Sequence, residues 1–313
     1  METKTPTRSV LIAFLLTVIL AGNNAIAVRF SNVEIPPFFG AAIRFAIAGF
    51  ILFLIVLFLH LPLPRGRSLL GAVLFGALGT GINFALMYWA LEYLQAGMSM
   101  VILALVPLLT FLFACLHRLE SFSWKSLTGS LLAAIGIVMI VAGQLNINIP
   151  ILPVLAVVAA AACFAEATVV IKIFPQSHPI TTNAIALSTG AVILFALSLL
   201  WREHPVLPAL AATWGSLAYL VIFGSVLTFV LTVYVIKHWT ASAAAYQFVL
   251  FPFVTISVGA WLANETINTA LLLGGVLVLI GVYIGGIAKI SKIKNTFRGL
   301  ISRSKTPCPD CGD

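Results

Sequence analysis

The sequence predicts an all-α polytopic membrane protein of ten transmembrane helices, arranged as two inverted repeats of five helices. Composition, the number of long apolar segments and an internal repeat lead to this prediction. The chain has 313 residues, of which 61% are hydrophobic and only 8% charged, and its mean hydropathy is +1.13. Soluble domains carry about 25% charged residues, so this surface suits lipid. No GxxxxGK[ST] phosphate-binding sequence is present, and we expect no ATP hydrolysis and no cofactor.

Ten apolar segments are each long enough to cross a hydrocarbon core of about 30 Å. The connections between them are short, which predicts antiparallel neighbours. We number the segments span 1 to span 10, at residues 9–28, 36–59, 68–90, 96–116, 124–143, 150–171, 180–200, 213–236, 242–262 and 268–288.

An internal repeat appears when the sequence is aligned with itself at an offset of 145 residues. Shared apolar composition does not explain identical Gly, Pro and Glu residues in one register. The matched pairs include Gly79 and Gly224, Phe84 and Phe229, Pro107 and Pro252, Glu120 and Glu265, and Gly136 and Gly281. The repeat units are residues 9–143 and 150–288. Because each unit has five spans, an odd number, the second must enter the membrane from the opposite side, which is an architecture of transporters.

The distribution of basic residues predicts the orientation, because cytoplasmic loops are enriched in Lys and Arg. With both termini in the cytoplasm, only Arg29 and Arg202 lie outside and Arg44 lies within span 2. The remaining basic residues are then cytoplasmic: Lys4, Arg8, Arg65, Arg67, Arg118, Lys125, Lys172, Lys237, Lys289, Lys292, Lys294, Arg298, Arg303 and Lys305. The net charge of +8 therefore faces anionic lipid headgroups rather than nucleic acid. We expect a multi-pass protein of the inner or plasma membrane.

The basic tail, residues 289–313, is predicted to be disordered. Cys308 and Cys311 have CxxC spacing, which supplies two of the four ligands of a structural zinc site. The sequence offers no second pair beside them, so we predict no metal site.

A family resemblance rests on Pro107, Glu120, Gly129 and Gly136, in the sequence PLLTFLFACLHRLESFSWKSLTGSLLAAIG, which recurs as PFVTISVGAWLANETINTALLLGGVLVLIG. This doubled pattern resembles the EamA-type drug/metabolite transporters over residues 10–288. The resemblance implies a secondary transporter, usually an exporter of amino acids, related metabolites or toxic amphipathic compounds. Arg44 matches a position where that family often has Arg, whereas Glu166 stands where the family more often has an uncharged residue.

Several repeated residues have structural interpretations. Glu120 and Glu265 lie in short hairpins on opposite faces of the membrane, where they would cap or brace the following helix. The glycines of spans 5 and 10 permit close helix packing, either against the hairpin partner or across a homodimer. Pro107 and Pro252 would kink their spans. The kinks would either only set the shape of the helices or also act as hinges for alternating access.

Polar and aromatic residues within the spans are the candidates for a substrate cavity, because buried amides must face protein or a water-filled space. Trp89 and Tyr234 have an alternative interpretation as interfacial aromatics, and Arg44 would bind either a substrate carboxylate or a neighbouring backbone carbonyl. The candidates are Asn23, Asn24, Arg44, Asn83, Tyr88, Trp89, Tyr234, Tyr246 and Gln247, together with Thr228 and Thr232.

Glu166 lies inside span 6, where a charge costs about 2.5–3.5 kcal/mol on insertion scales. Matching Lys172 with Arg29 places Glu166 at the position of Asn23 in the first repeat. We expect Glu166 to face the central cavity and to bind a proton or a cation. The alternative is a neutral, hydrogen-bonded glutamic acid that only joins two helices.

The predicted function is secondary active transport, with export of small metabolites or drugs. The alternatives are an uptake permease for a vitamin or nucleotide-like solute, an intramembrane enzyme, and a membrane scaffold. No His, Asp or Glu pair has the spacing of a metal site on one helix face, which disfavours the enzyme. A scaffold needs neither inverted duplication nor polar residues within its spans.

Overall fold

A computed structural model describes most of the chain. The described residues are 7–119, 124, 127–129, 131–132, 135–136, 139, 151–175, 177–239, 244, 247–262, 269–270, 272–281 and 283–284. All regular secondary structure in them is helical. Glu120, Glu265, Tyr246 and residues 289–313 lie outside the described part, and so do the predictions made for them.

Seven of the described helices are long and apolar enough to cross a membrane. They run over Arg8–Asn32, Pro37–Phe58, Arg67–Ala90, Ala96–Leu116, Ile151–Ile173, Pro179–Leu200 and Ala211–His238, which are the predicted spans 1 to 4 and 6 to 8. Span 9 is described as a helix over Gln247–Leu262 and span 10 over Leu272–Gly281. The isolated described residues of span 5 are also helical. The predicted fold class is confirmed.

Two spans are interrupted near their middle. Span 1 consists of helices Arg8–Gly22 and Asn24–Asn32, with a turn at Asn23. Span 4 consists of Ala96–Leu103 and Val106–Leu116, and the break directly precedes Pro107, which has no N–H to donate to the preceding turn. Span 9 continues as a helix through Pro252, so the matched prolines have different local effects.

Spans 3 and 8 each contain a π-helical segment, Ala77–Ile82 and Ile222–Leu227. The two segments are separated by the repeat offset of 145 residues at both ends, and each contains one glycine of the matched pair Gly79 and Gly224. π-helical turns are rare and are frequent at functional sites. Duplication has therefore kept an irregular helix at the same place in both repeats.

Contacts between the repeats hold the bundle together. Span 1 packs on spans 8 and 9, span 6 packs on spans 3 and 4, and span 2 packs on span 7. A Cβ on Gly49 of span 2 would lie 2.8 Å from the Ser188 hydroxyl of span 7. A Cβ on Gly136 of span 5 would lie 2.6 Å from the Gly274 carbonyl of span 10. Gly136 therefore packs across the two repeats of one chain, and the expectation of a hairpin partner or a dimer is wrong for this glycine.

Two carboxylates cap helices of the opposite repeat at one end of the molecule, which we call the Glu34 face. Glu34 accepts hydrogen bonds from the backbone N–H groups of Ala209 and Leu210, each at 3.0 Å, and from the Thr213 hydroxyl at 2.6 Å. Glu203 accepts from the N–H groups of Phe38 and Phe39 at 3.1 and 2.7 Å. Helix N-termini leave such N–H groups unpaired and attract negative charge. The loop of each repeat thus closes the start of a span in the other.

We predict that Glu34→Gln lowers the melting temperature of the detergent-solubilised protein by a few degrees at pH 7, because Gln caps a helix start less well than a carboxylate. Hydrogen bonds from Thr213 and the backbone lower the pKa of Glu34 from its ordinary value of 4.5. Its stabilisation is therefore complete above pH 4.5 and is lost as the pH falls through the lowered pKa. When thermal unfolding is measured from pH 7 to pH 3, the difference in melting temperature between variant and wild type should become smaller.

Glu92→Gln is the matched control. Glu92 lies on the same face but caps none of the helices in the described part of the chain, and burial together with the charge of Glu203 raises its pKa. Its neutral replacement should leave the melting temperature at pH 7 unchanged or higher. An equal loss in both variants would mean that net charge, not capping, stabilises this face.

Candidate functional site

A cavity of about 80 Å³ lies between the two repeats. Its walls come from spans 1, 3 and 4 and from spans 6, 8 and 9, which are the equivalent spans of the two repeats. The lining residues are Ala21, Asn24, Ala25, Val28, Asn83, Phe84, Met87, Tyr88, Leu91, Met100, Leu103, Phe164, Thr228, Phe229, Thr232, Gln247, Phe248 and Phe251.

Equivalent residues of the two repeats line this cavity in pairs. At the repeat offset, Asn83 corresponds to Thr228, Phe84 to Phe229, Met87 to Thr232 and Leu103 to Phe248, and all eight residues belong to the lining. A site shared in this way by inverted repeats lies near the middle of the bilayer, where both repeats meet.

Aromatic side chains form much of the cavity wall. The rings of Phe84 and Phe229 have centroids 5.8 Å apart, and the ring of Phe248 lies 4.8 Å from both Phe164 and Phe251. No charged residue is among the lining residues. Such a wall suits an apolar or aromatic part of a small molecule, with orientation left to a few polar groups.

Three amide side chains of the wall, those of Asn24, Asn83 and Gln247, have an oxygen without a partner among the described residues. Asn83 is 4% exposed and donates from Nδ2 to the Gly79 carbonyl at 3.2 Å, whereas its Oδ1 has no partner among the described residues. Gln247, 2% exposed, also has an Oε1 without a partner in the described part of the chain. Buried polar groups are normally paired, so these oxygens are able to accept hydrogen bonds from a bound solute.

Arg44 lies directly behind the cavity wall and is fully buried. It donates from Nε to the Ser225 hydroxyl at 2.7 Å, from Nη2 to the Gly224 carbonyl at 2.9 Å and from Nη1 to the Tyr88 hydroxyl at 3.2 Å. None of these partners carries a charge. Because the Tyr88 oxygen accepts from a cation, its own proton is free to be donated, and Tyr88 is a lining residue. The cavity thus has one polarised O–H donor.

The π-helical segment of span 8 makes this arrangement possible. The Gly224 carbonyl accepts from both Arg44 and the Asn24 amide, the latter at 3.3 Å. A Cβ on Gly224 would lie 2.4 Å from Asn24 Oδ1 and 3.1 Å from Arg44 Nη2. Only glycine allows both side chains to approach the backbone so closely.

The structure brings four of the predicted site residues into the cavity wall: Asn24, Asn83, Tyr88 and Gln247. Thr228 and Thr232 of span 8 join them. Arg44 contacts the wall through Tyr88, as described above.

Three other candidates lie elsewhere. Asn23 donates to the Ile19 carbonyl at 2.9 Å in the break of span 1. Trp89 packs on Tyr93 with ring centroids 5.4 Å apart, and Tyr234 packs on His238 at 4.2 Å. Trp89 directly follows the lining residue Tyr88, and Tyr234 lies two residues after Thr232; at 3.6 residues per turn both are rotated well away from the cavity wall.

The expectation that Glu166 faces the cavity requires correction. Its Oε1 lies 2.7 Å from Nε2 of His117, which follows the last turn of span 4, and both side chains are partly exposed. Phe164 occupies the cavity wall instead. Glu166 lies two residues after Phe164, and in an α-helix this turns its side chain about 200° away from the Phe164 side chain. Glu166 therefore faces span 4. Sequence reasoning also missed His117 as its partner.

The aromatic wall was missed as well, although the repeat contained a signal. The identical pair Phe84 and Phe229 was found as evidence of duplication and not as part of a site. A metal centre has no support in the described part of the chain, where no three His, Cys, Asp or Glu side chains cluster.

Comparison with known proteins gives a family match over most of the chain. A model described as the EamA-like transporter family matches twice, at residues 8–142 and 151–285. An uncharacterized transporter of Archaeoglobus fulgidus is 25% identical over 87% of this chain and 97% of its own length. The uncharacterized inner membrane transporter YedA of Escherichia coli is 26% identical over 80% of this chain and 81% of its own length.

Two further matches extend the comparison. A probable terminal-alkyne amino-acid exporter of Streptantibioticus cattleyicolor is 25% identical over 70% of this chain and 73% of its own. A crystal structure with 17% sequence identity superposes with a TM-score of 0.63 and covers 90% of this chain and 98% of the other. This last likeness concerns the fold alone.

We predict that Gly224→Ala destabilises the protein by about 1–3 kcal/mol, because the added methyl group displaces Asn24 and Arg44 from a packed interior. The control is Gly215→Ala in the same span, where a Cβ would meet nothing within 4 Å. That substitution should be neutral or stabilising by up to about 1 kcal/mol. Thermal unfolding in detergent measures both, and equal stability of the two variants would contradict the packing described for Gly224.

Proposed function

The chain belongs to the EamA-like transporter family and is a multi-pass membrane transporter of a small-molecule substrate, and from this premise we propose that it exports amphipathic solutes of the amino-acid type by secondary active transport across the plasma membrane. The observation that carries the proposal is the cavity between the repeats, which combines aromatic walls with a polarised donor and three unpaired acceptors.

The polar groups of the cavity match the two charged ends of an amino acid. The Tyr88 hydroxyl, polarised by Arg44 at 3.2 Å, suits a carboxylate oxygen, and the positive charge behind it adds attraction that is strong where water is excluded. The unpaired oxygens of Asn83 and Gln247 suit the N–H groups of an ammonium. The phenylalanine wall suits an apolar or aromatic side chain. The relative named as a probable amino-acid exporter supports the same solute class.

Orientation and coupling complete the proposal. The end of the bundle opposite the Glu34 face, which we call the Lys172 face, carries the described basic residues Arg8, Arg65, Arg67, Arg118, Lys172 and Lys237 and would lie in the cytoplasm. His117 and Glu166 form their 2.7 Å contact towards this face. This pair, rather than the cavity itself, is the proposed site of proton coupling.

The first test compares three ligands of nearly equal size: phenylalanine, phenethylamine and 3-phenylpropionate. We predict that phenylalanine raises the melting temperature of the purified protein most, because only phenylalanine has both a carboxylate for Tyr88 and an ammonium for Asn83 and Gln247. A ligand at 100 times its Kd adds about 2.7 kcal/mol to the free energy of unfolding. Tyr88→Phe should weaken binding of phenylalanine and phenylpropionate about tenfold, since it removes the donor, and leave phenethylamine unchanged.

Tyr93→Phe is the control, because Tyr93 is 52% exposed and lies outside the cavity. Equal binding of all three ligands, or no effect of Tyr88→Phe, would contradict the proposed recognition. Efflux and uptake of the bound ligand in vesicles of both orientations then separate export from uptake.

The second test concerns coupling. We predict that Glu166→Gln and His117→Gln each keep the protein folded but flatten the dependence of transport on an imposed pH gradient, because Gln keeps hydrogen bonds and loses titration. Transport of phenylalanine into reconstituted vesicles at several pH values is the measurement, with Glu92→Gln as a carboxylate control. If rate, selectivity and pH profile all match wild type, Glu166 serves only to join spans 4 and 6.

A further inference from the structure

A second and much smaller cavity lies at the Lys172 face, apart from the transport cavity. It is enclosed by the start of span 3, the end of span 6, the loop and first turn of span 7, and the end of span 8. Its polar lining consists of Ser68, Ser177, Thr182 and Lys237. Phe174 closes one wall against Gly71, where an added Cβ would lie 2.5 Å from the Phe174 Cβ. Close packing of spans 3 and 6 at this glycine therefore shapes the cavity.

Positive charge converges on this cavity. Lys237 lines it, and the charge of Lys172 acts on Lys237. The Lys172 ammonium donates to the Trp239 carbonyl at 2.9 Å, a neutral partner. His178, in the loop before span 7, has a pKa lowered by burial and by the charge of Lys237. Two neighbouring cations repel each other at close range, and an anion between them would offset that repulsion.

The described residues provide no such anion. Among them, Glu166 is the acidic residue of this half of the bundle, and its carboxylate contacts His117 on span 4. None of the residues that line the small cavity is acidic. Lys237 has neither an ion pair nor a hydrogen-bond acceptor within the described part of the chain. The counter-charge for Lys237 must therefore come from outside these residues.

One hydroxyl group adds a free donor beside Lys237. The Ser68 hydroxyl is buried and has no partner among the described residues. Ser177 and Thr182 use their hydroxyl protons on each other at 2.8 Å and on the His178 carbonyl at 3.0 Å. Ser68 also belongs to the first turn of the helix that begins at Arg67, where unpaired N–H groups favour a negative charge.

We propose that this small cavity binds a phosphate group, from a phospholipid headgroup or from free phosphate. A phosphate has several acceptor oxygens and a negative charge, which the Lys237 ammonium and the Ser68 hydroxyl would satisfy together. The cavity lies at the end of the spans, at the depth of lipid headgroups, and basic pockets between transmembrane helices bind such headgroups. A bound phosphate would tie spans 3, 6, 7 and 8 together at one face. This inference is independent of the transported solute.

The test is a thermal-shift titration of the purified full chain in a neutral detergent. The probes are dioctanoyl phosphatidylglycerol, dioctanoyl phosphatidylcholine and inorganic phosphate. We expect phosphatidylglycerol to raise the melting temperature in a saturable way and phosphatidylcholine to raise it much less. Lys237→Gln should weaken the apparent affinity for phosphatidylglycerol about tenfold or more, since a charged hydrogen bond is lost. Without ligand, the same substitution should not lower the melting temperature, because it removes the repulsion between Lys237 and Lys172.

Ser68→Ala is the second variant and should weaken the same affinity severalfold in a protein that folds normally. Arg118→Gln, an exposed cation on the same face outside the cavity, is the control and should bind as wild type. A shift with phosphatidylglycerol alone assigns the site to a lipid headgroup, and a shift with inorganic phosphate as well assigns it to the phosphate group itself. No shift with either, an equal shift with phosphatidylcholine, or equal affinity in Lys237→Gln and wild type overturns the proposal.

Discussion

The burial of Arg44 is the constraint on which the architecture of the site depends. A guanidinium keeps its charge in proteins, and burying an unpaired charge in an apolar interior is costly. Arg44 has no carboxylate partner among its described contacts and relies on neutral oxygens from Ser225, Gly224 and Tyr88. Its guanidinium carbon also lies 5.0 and 5.3 Å from the ring centroids of Phe45 and Phe84, which adds cation–π attraction. These contacts fix span 2 against spans 3 and 8 and thereby hold the cavity wall in place.

Arg44 also makes two similar repeats chemically different. Ser225, which accepts from Arg44, corresponds at the repeat offset to Thr80. Thr80 instead donates to the backbone carbonyl of Ala186 at 2.8 Å, so a neutral backbone group contacts Thr80 where a cation contacts Ser225. The shape of the cavity follows the symmetry of the duplication, whereas its electrostatic field does not. A substrate with unlike ends would therefore bind in one orientation.

The sequence predicted the spans and the inverted repeat because length, apolar composition and residue identity at a fixed offset are properties of the chain itself. It predicted Asn83 and Tyr88 because polar side chains within spans need partners. It did not predict which way Glu166 points, since an uncertainty of one residue in aligning spans 1 and 6 turns a side chain by about 100°. The π-helical segments add a similar rotation, and no periodicity argument revealed them. Trp89 and Tyr234 are equivalent at the repeat offset, and neither lines the cavity.

The most direct test is the accessibility of single cysteines placed at Met87 and Thr232, equivalent positions that both line the cavity. The background would carry serine at Cys115, Cys163, Cys308 and Cys311, and the controls would be cysteines at Trp89 and Tyr234. A hydrophilic thiol reagent should modify positions 87 and 232, and a bound solute should protect both to the same extent while positions 89 and 234 stay unaffected by it. If the solute protects all four positions alike, or protects neither 87 nor 232, the cavity between the repeats is not the binding site.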